Sequence, residues 1–103
     1  MAACMIERNG KQCHVKMAGD ITSGSIPELQ AALKVELQNP VDEMVFDLAN
    51  TVMLDSSGIG LLIATHNSLV RQQGKLRVTL VSPDILHLLQ SMRLVSRLNV
   101  TGR

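Results

Sequence analysis

The chain has 103 residues, 46% of them hydrophobic and 18% charged, and a formal net charge of +1. That length suits one domain with one core, the composition is globular rather than disordered, and no apolar run approaches the ~18 residues of a membrane-spanning helix. A near-neutral charge and a single aromatic residue, Phe46, argue against nucleic acid as a partner, because such binding draws on a basic surface and stacking rings.

The opening MAACMIERNGKQ lacks the basic segment and long apolar stretch of a secretory signal, so a cytoplasmic location is expected. Residues 3–8 and 12–18 read as two antiparallel strands around Asn9-Gly10, a dipeptide that tolerates the positive φ of a tight turn. Cys4 and Cys13 form no CxxC pair and are expected to be small buried hydrophobes rather than a disulfide or metal ligands. Gly19 to Gly24 breaks the pattern. Ser25 or Ser23 then caps a helix over about 26–38, with Pro27 and Glu28 in its first turn and Ile26, Leu29, Leu33 and Leu37 on its apolar stripe.

Asn39-Pro40 ends that helix, and Met44 to Leu48 is a strand apolar enough to lie inside a sheet. From Ser56 or Ser57 to about Gln73 the spacing is helical, with Ile59, Leu62, Ile63, His66, Leu69 and Val70 on one face and Gly74 as the stop. Leu76 to Val81 is a further strand. Ser82-Pro83-Asp84 starts a third helix carrying Ile85, Leu88, Leu89 and Met92. The remainder, Leu94 to Arg103, reads either as a short edge strand around Leu98 to Val100 or as a frayed tail. The alternation of strands and helices predicts an α/β domain spanning residues 1–103, with a mixed sheet whose interior strands are joined by right-handed crossovers.

The stretch LDSSGIG, residues 54–60, lies at a strand-to-helix turn, where free amides and the helix dipole favour negative charge. Asp and Ser there are ordinary helix caps, and Gly58 and Gly60 permit close packing. GIGLLI lacks the third glycine of a dinucleotide fingerprint, and no lysine between Lys34 and Lys75 completes a phosphate-binding loop. Ser56 and Ser57 have no hydrolase frame, and His66 lies on the apolar helix face, directed into packing. The three histidines and two cysteines show no ligand spacing, so neither metal nor cofactor is expected. A serine at a helix start can instead be a substrate. Phosphorylation would add about −1.5 to −2 charges at a place the dipole tolerates, changing the surface without unfolding the domain. By this reasoning Ser56 and Ser57 are equal candidates.

At these residues the chain resembles the STAS-domain anti-sigma factor antagonists. The likeness runs through AGDIT, SIPELQAALKVEL, MVFDLAN, MLDSSGIGLL and GKLRVTLVSPDILHLLQSMRL. It implies a small mixed sheet of four to five strands with helices mainly on one face. It also implies a bacterial, non-enzymatic regulator of transcription that acts by partner switching. The unphosphorylated form binds a serine kinase that doubles as an anti-sigma factor, the kinase phosphorylates the antagonist from ATP, and a PP2C-type phosphatase reverses the step.

The family's acceptor follows the motif aspartate, which makes Ser56 the expected phosphorylation site, with Asp55 the adjacent acid and Ser57 a capping or orienting hydroxyl. The partner surface is expected from Asp20, Thr22, Ser23, Asp55, Ser57, Gly58, Gly60 and Leu61. Two departures stand out. Thr22 occupies a position where many members carry an acid that approaches the kinase or its nucleotide. Many members also continue into a further helix, so an exposed apolar edge is expected near Leu98 to Val100. The alternative within the family is a docking subunit of an ABC-type lipid transporter, in which the same turn is a contact and phosphorylation is not needed.

Overall fold

The computed structural model describes residues 3–103. The chain runs β1 (Cys4–Asn9), β2 (Gln12–Met17), α1 (Ile26–Glu36), β3 (Glu43–Asp47), α2 (Ser56–Arg71), β4 (Lys75–Val81), α3 (Pro83–Ser91) and β5 (Val100–Gly102). The sheet order is β1-β2-β3-β4-β5, antiparallel in the opening hairpin and parallel thereafter. Each crossover steps one strand in the same direction. With the right-handed connection that parallel strands require, three such steps place α1, α2 and α3 on one face of the sheet.

Burial follows from that one-sided covering. Cys13, Val15 and Met17 of β2, Met44 and Phe46 of β3, and Leu76 and Val78 of β4 point to the helices and are buried. Their alternates His14, Lys16 and Arg77 face water. Beneath the helices, Leu29, Leu62, Leu69, Leu89 and Leu98 complete a core with no exposed surface, so aliphatic packing stabilises the fold almost without aromatic help.

Several local expectations are revised. The hairpin turn residues are Gly10-Lys11, flanked by the Asn9–Gln12 pair, and only Gly10 has positive φ (+63°), the type II′ requirement for glycine first. Ser25 sits at the N-cap of α1 but is in helical conformation and makes no cap hydrogen bond. At the end of α2 the left-handed residue is Gln73 (φ +65°), while Gly74 is needed because a Cβ there would strike the Val41 carbonyl. Val70 and Met92, expected on apolar faces, are about half exposed, at 53% and 46%. The buried residues of α2 keep the expected Ile59, Leu62 and Leu69 and add Gly58, Leu61 and Thr65, and the Thr65 hydroxyl donates to the Leu61 carbonyl at 2.8 Å.

His66 is directed into packing as expected, with Nδ1 buried and without a hydrogen-bond partner among the described residues. Cys13 is buried and Cys4 half-buried; both are free thiols whose pKa burial pushes up. The final strand is real but lies at Val100–Gly102, two residues later than expected. The residues before it are wound into turns, the Leu98 amide donating to the Leu94 carbonyl and the Val100 amide to the Val95 carbonyl, both at 2.9 Å, so pairing with β4 begins only at Val78–Val100; a bulge with Leu80 at φ +59° then sets Val81 opposite Gly102. Leu94, Leu98 and Val100 are buried, so the expected exposed apolar edge is absent at these residues.

Candidate functional site

Two loops meet beyond the C-terminal ends of β2 and β3, residues 18–25 leading into α1 and residues 48–55 leading into α2. Their backbones touch as a one-residue extension of the parallel sheet, the Ile21–Leu54 bridge. The Ile21 amide donates to the Met53 carbonyl (3.2 Å) and the Asp55 amide donates to the Ile21 carbonyl (3.3 Å). Ile21 and Leu54 are buried beneath the bridge, so apolar packing anchors both loops to the core.

Two aspartates close the junction reciprocally. Asp20 of the first loop accepts from the Val52 and Met53 amides of the second through Oδ1, at 2.8 and 2.9 Å. Asp55 of the second loop accepts from the Ser23 amide of the first through Oδ2, at 3.0 Å. Its Oδ1 accepts from the Gly58 amide at 2.9 Å, which makes Asp55 the N-cap of α2. Thr51, fully buried, adds a hydroxyl bond to the Gly19 carbonyl at 2.8 Å. The Ser25 hydroxyl, free of capping duty, accepts from the Thr22 amide at 3.1 Å and so tightens the first loop on itself.

These bonds set the charge of Asp55. The Gly58 amide first, and then those of Ser23 and Ser57, hold its carboxyl below the usual carboxylate range. It is therefore ionised wherever the protein is folded near neutral pH. Neither loop contains a lysine or arginine, and among the described residues Asp20 and Asp55 have no ion-pair partner and are answered by backbone amides; Arg103 reaches the second loop at the Ala49 carbonyl, to which its Nη2 donates at 2.6 Å.

The structure distributes the expected site residues between presentation and support. Ser56 and Ser57, the first two residues of α2, are exposed, as are Ser23 and Gly60. A Cβ on Gly60 would meet nothing within 4 Å, so this glycine leaves open surface one turn beyond the serines. Gly58 is buried, and a Cβ there would run into the Ile21 carbonyl and lie 2.7 Å from Leu54 Cδ1. Leu61 is also turned inward, with 9% of its surface exposed. Gly58 and Leu61 thus shape the site from below. Thr22 is half-buried, and Asp20 is occupied in holding the neighbouring loop. Ser57 does not cap the helix, since Asp55 does.

Sequence reasoning passed over two residues. Val52 and Met53 are 76% and 58% exposed, an apolar pair standing in water immediately before the turn into α2. The signal was present as an apolar dipeptide between the end of the β3 strand pattern and the helix start, where a chain without a partner normally places polar residues. Among the described residues no three His, Cys, Asp or Glu side chains cluster as a metal site. No helix of the described residues is long and apolar enough to cross a membrane.

The sequence and the fold resemble those of known proteins. An anti-sigma-B factor antagonist of Staphylococcus epidermidis is 31% identical over 71 residues, spanning 69% of this chain and 66%, just under two thirds, of its own. An anti-sigma factor antagonist from Mycobacterium paratuberculosis superposes with a TM-score of 0.84 at 21% identity, over 97% of this chain and 85% of that one. The Bacillus cell fate determinant SpoIIAA superposes in its phosphorylated form with a TM-score of 0.78 at 17% identity, over 98% of this chain and 91% of its own. Its unphosphorylated form superposes with a TM-score of 0.74 at 17% identity, over 94% and 98%. At such identities the structural likeness speaks for the fold alone. The family model of the STAS domain matches residues 3–101, nearly the whole chain, and the protein therefore belongs to the STAS-domain family.

Proposed function

We propose that this protein is an anti-sigma factor antagonist controlled by phosphorylation of Ser56. In its unmodified form it binds a serine kinase that is also an anti-sigma factor. The kinase transfers phosphate to Ser56 and so ends the association, and a PP2C-type phosphatase restores the binding form. The protein itself performs no catalysis in this scheme.

The observation that carries the reading is the exposed Ser56 hydroxyl at the first position of α2, on a junction already closed by Asp20 and Asp55. A phosphate there adds about −1.5 to −2 charges beside an ionised aspartate. With no lysine or arginine in either loop to draw it in, the group remains at the surface, next to the apolar Val52 and Met53. A partner that packs on Val52, Met53 and the bare backbone around Gly60 then meets a strong negative charge it must desolvate. SpoIIAA, solved both with and without phosphate, superposes on this chain in either form, in keeping with a modification that alters the surface more than the fold.

Incubation with the cognate kinase and ATP, followed by peptide mass spectrometry, tests the assignment. Phosphate on Ser56 is expected, and phosphate confined to Ser57 or another residue would overturn it. Pull-down with the unmodified protein separates the two family roles: a kinase supports switching, and a transporter ATPase subunit in its place would favour the docking role.

A further inference from the structure

Away from the Ser56 turn, α1 and α2 meet only sparsely, and their facing side chains do not fill the space between them. Ala64 and Ser68 are small, and opposite them a groove of about 600 Å³ opens, within the ~300–1,000 Å³ range of small-molecule sites. Its apolar floor is Leu33 and Leu37 of α1 with Leu61 of α2. Thr65 adds no polarity there, because its hydroxyl is engaged by the Leu61 carbonyl.

The polar groups are cationic or donating. Lys34 and Arg71 line the groove, no acidic residue does, and neither cation has an ion-pair partner among the described residues. Gln72 is oriented by its Oε1, which accepts from the Val41 amide at 2.8 Å, leaving its NH₂ as the end able to donate. Both helices end here. In α1 the Leu33 and Val35 carbonyls accept from the Leu37 and Gln38 amides, and in α2 the Leu69 and Val70 carbonyls accept from those of Gln72, Gln73 and Gly74, so the attraction for an anion here comes from the two cations, set against the negative ends of both helices.

We propose that this groove binds a single-chain aliphatic anion of the fatty-acid type. The carboxylate lies between Lys34, Arg71 and the Gln72 amide, and the alkyl chain lies over Leu33, Leu37 and Leu61 towards Ala64. Three features select that chemistry. Paired cations without an acid ask for a negative head. An aliphatic floor without an aromatic ring offers nothing for a planar base to stack on. Leu33 and Leu61 are only 3% and 9% exposed, so their apolar surface is reached by a slender chain rather than by the broad face of a folded partner. The site is separate from Ser56, and the proposal stands whether or not that serine is phosphorylated.

Titration of the isotope-labelled full chain with dodecanoate below its micelle concentration tests it, read by backbone NMR shifts and by calorimetry. Shifts are expected at Leu33, Ala64, Thr65 and Gln72. The double variant Lys34→Gln/Arg71→Gln, at two exposed positions, is expected to weaken dodecanoate binding about tenfold or more while leaving dodecanol binding unchanged. Ala64→Phe, filling the groove, is expected to abolish both. Equal affinity of the double variant for dodecanoate would overturn the proposal, as would undiminished binding to Ala64→Phe, which would mark non-specific adsorption. Absence of dodecanoate binding while an acidic amphipathic peptide shifts the same residues would overturn it in favour of a peptide groove.

Discussion

Gly58 and Gly60 lie two residues apart in the first turns of α2, yet replacing each by alanine should move stability in opposite directions. Any glycine-to-alanine change inside a helix gains about 0.5–1 kcal/mol from restricted unfolded-chain freedom and better helix propensity. At Gly60 nothing opposes that gain, because the new methyl meets no atom within 4 Å. At Gly58 the methyl runs into the Ile21 carbonyl, a backbone atom fixed by its bond from the Asp55 amide, and lies 2.7 Å from Leu54 Cδ1. Overpacking of this kind costs about 1–3 kcal/mol, and a clash with fixed backbone belongs in the upper half of that range, about 2–3, so after the propensity gain Gly58→Ala should lose about 1–2.5 kcal/mol.

For a domain of this size each kcal/mol shifts Tm by about 4–8 °C. Calorimetry should therefore show Gly60→Ala melting about 2–8 °C above the wild type and Gly58→Ala about 4–20 °C below it. Binding adds a second axis. The stabilised Gly60→Ala should bind the kinase more weakly, since its methyl stands on the surface the partner approaches. If Gly58→Ala matches or exceeds the wild type in stability, the tight approach of α2 to Ile21 is not what positions this turn. If Gly60→Ala is destabilised, its helix surface is not open.

Ser56→Asp should weaken binding to the kinase and Ser56→Ala should preserve it in the presence of ATP, measured by calorimetry; equal affinities would remove the charge switch. Val52→Ser with Met53→Ser should leave stability within about 0.5 kcal/mol, as exposed substitutions do, while lowering kinase affinity in the same binding assay. Asp55 stabilises the folded state through its depressed pKa. Its contribution is complete above the unfolded carboxylate value near 3.8 and is lost as pH falls through the lower folded value, so Asp55→Asn should flatten the acid limb of the stability profile. Asp20→Ala should raise hydrogen exchange at the Val52 and Met53 amides by removing their common acceptor, with little change at the core strands.

Local periodicity made the elements legible wherever burial and spacing coincide, as at Leu29 and Leu33 in α1 or Leu62 and Leu69 in α2. It set one side of the α2 stripe wrongly while keeping Ile59, Leu62 and Leu69, because hydropathy alone treats Val70 as inward and Thr65 as outward. A threonine that satisfies its own hydroxyl on the preceding turn behaves as an apolar residue and takes the inner position. The last strand starts later than expected because Leu94 to Asn99 is wound into turns that end on a left-handed Asn99 (φ +51°), and the apolar Leu98 packs inward from a turn as readily as from a strand. Ser25 carries the letters of a cap, but its hydroxyl is claimed by the loop before it.

At the site, the strand-to-helix turn that exposes Ser56 was legible in the sequence, and the dependence of each loop on the other was hidden. Asp20 and Ser23 are more than thirty positions from the residues they hold, and separation of that length leaves no periodic signal. Val52 and Met53 were visible as letters but not as exposed surface, because an apolar dipeptide after a strand reads equally well as its buried continuation.

The reciprocal aspartates also bear on timing. Loops joined by Asp20 and Asp55 before any partner arrives have already lost the freedom that binding would otherwise remove, so association resembles the docking of a preformed surface. Encounter with unmodified protein should then proceed at the ~10⁵–10⁷ M⁻¹s⁻¹ usual for pre-organised partners. The phosphate would act chiefly on how long the complex lasts, and the lifetime of the complex would set the tempo of the switch.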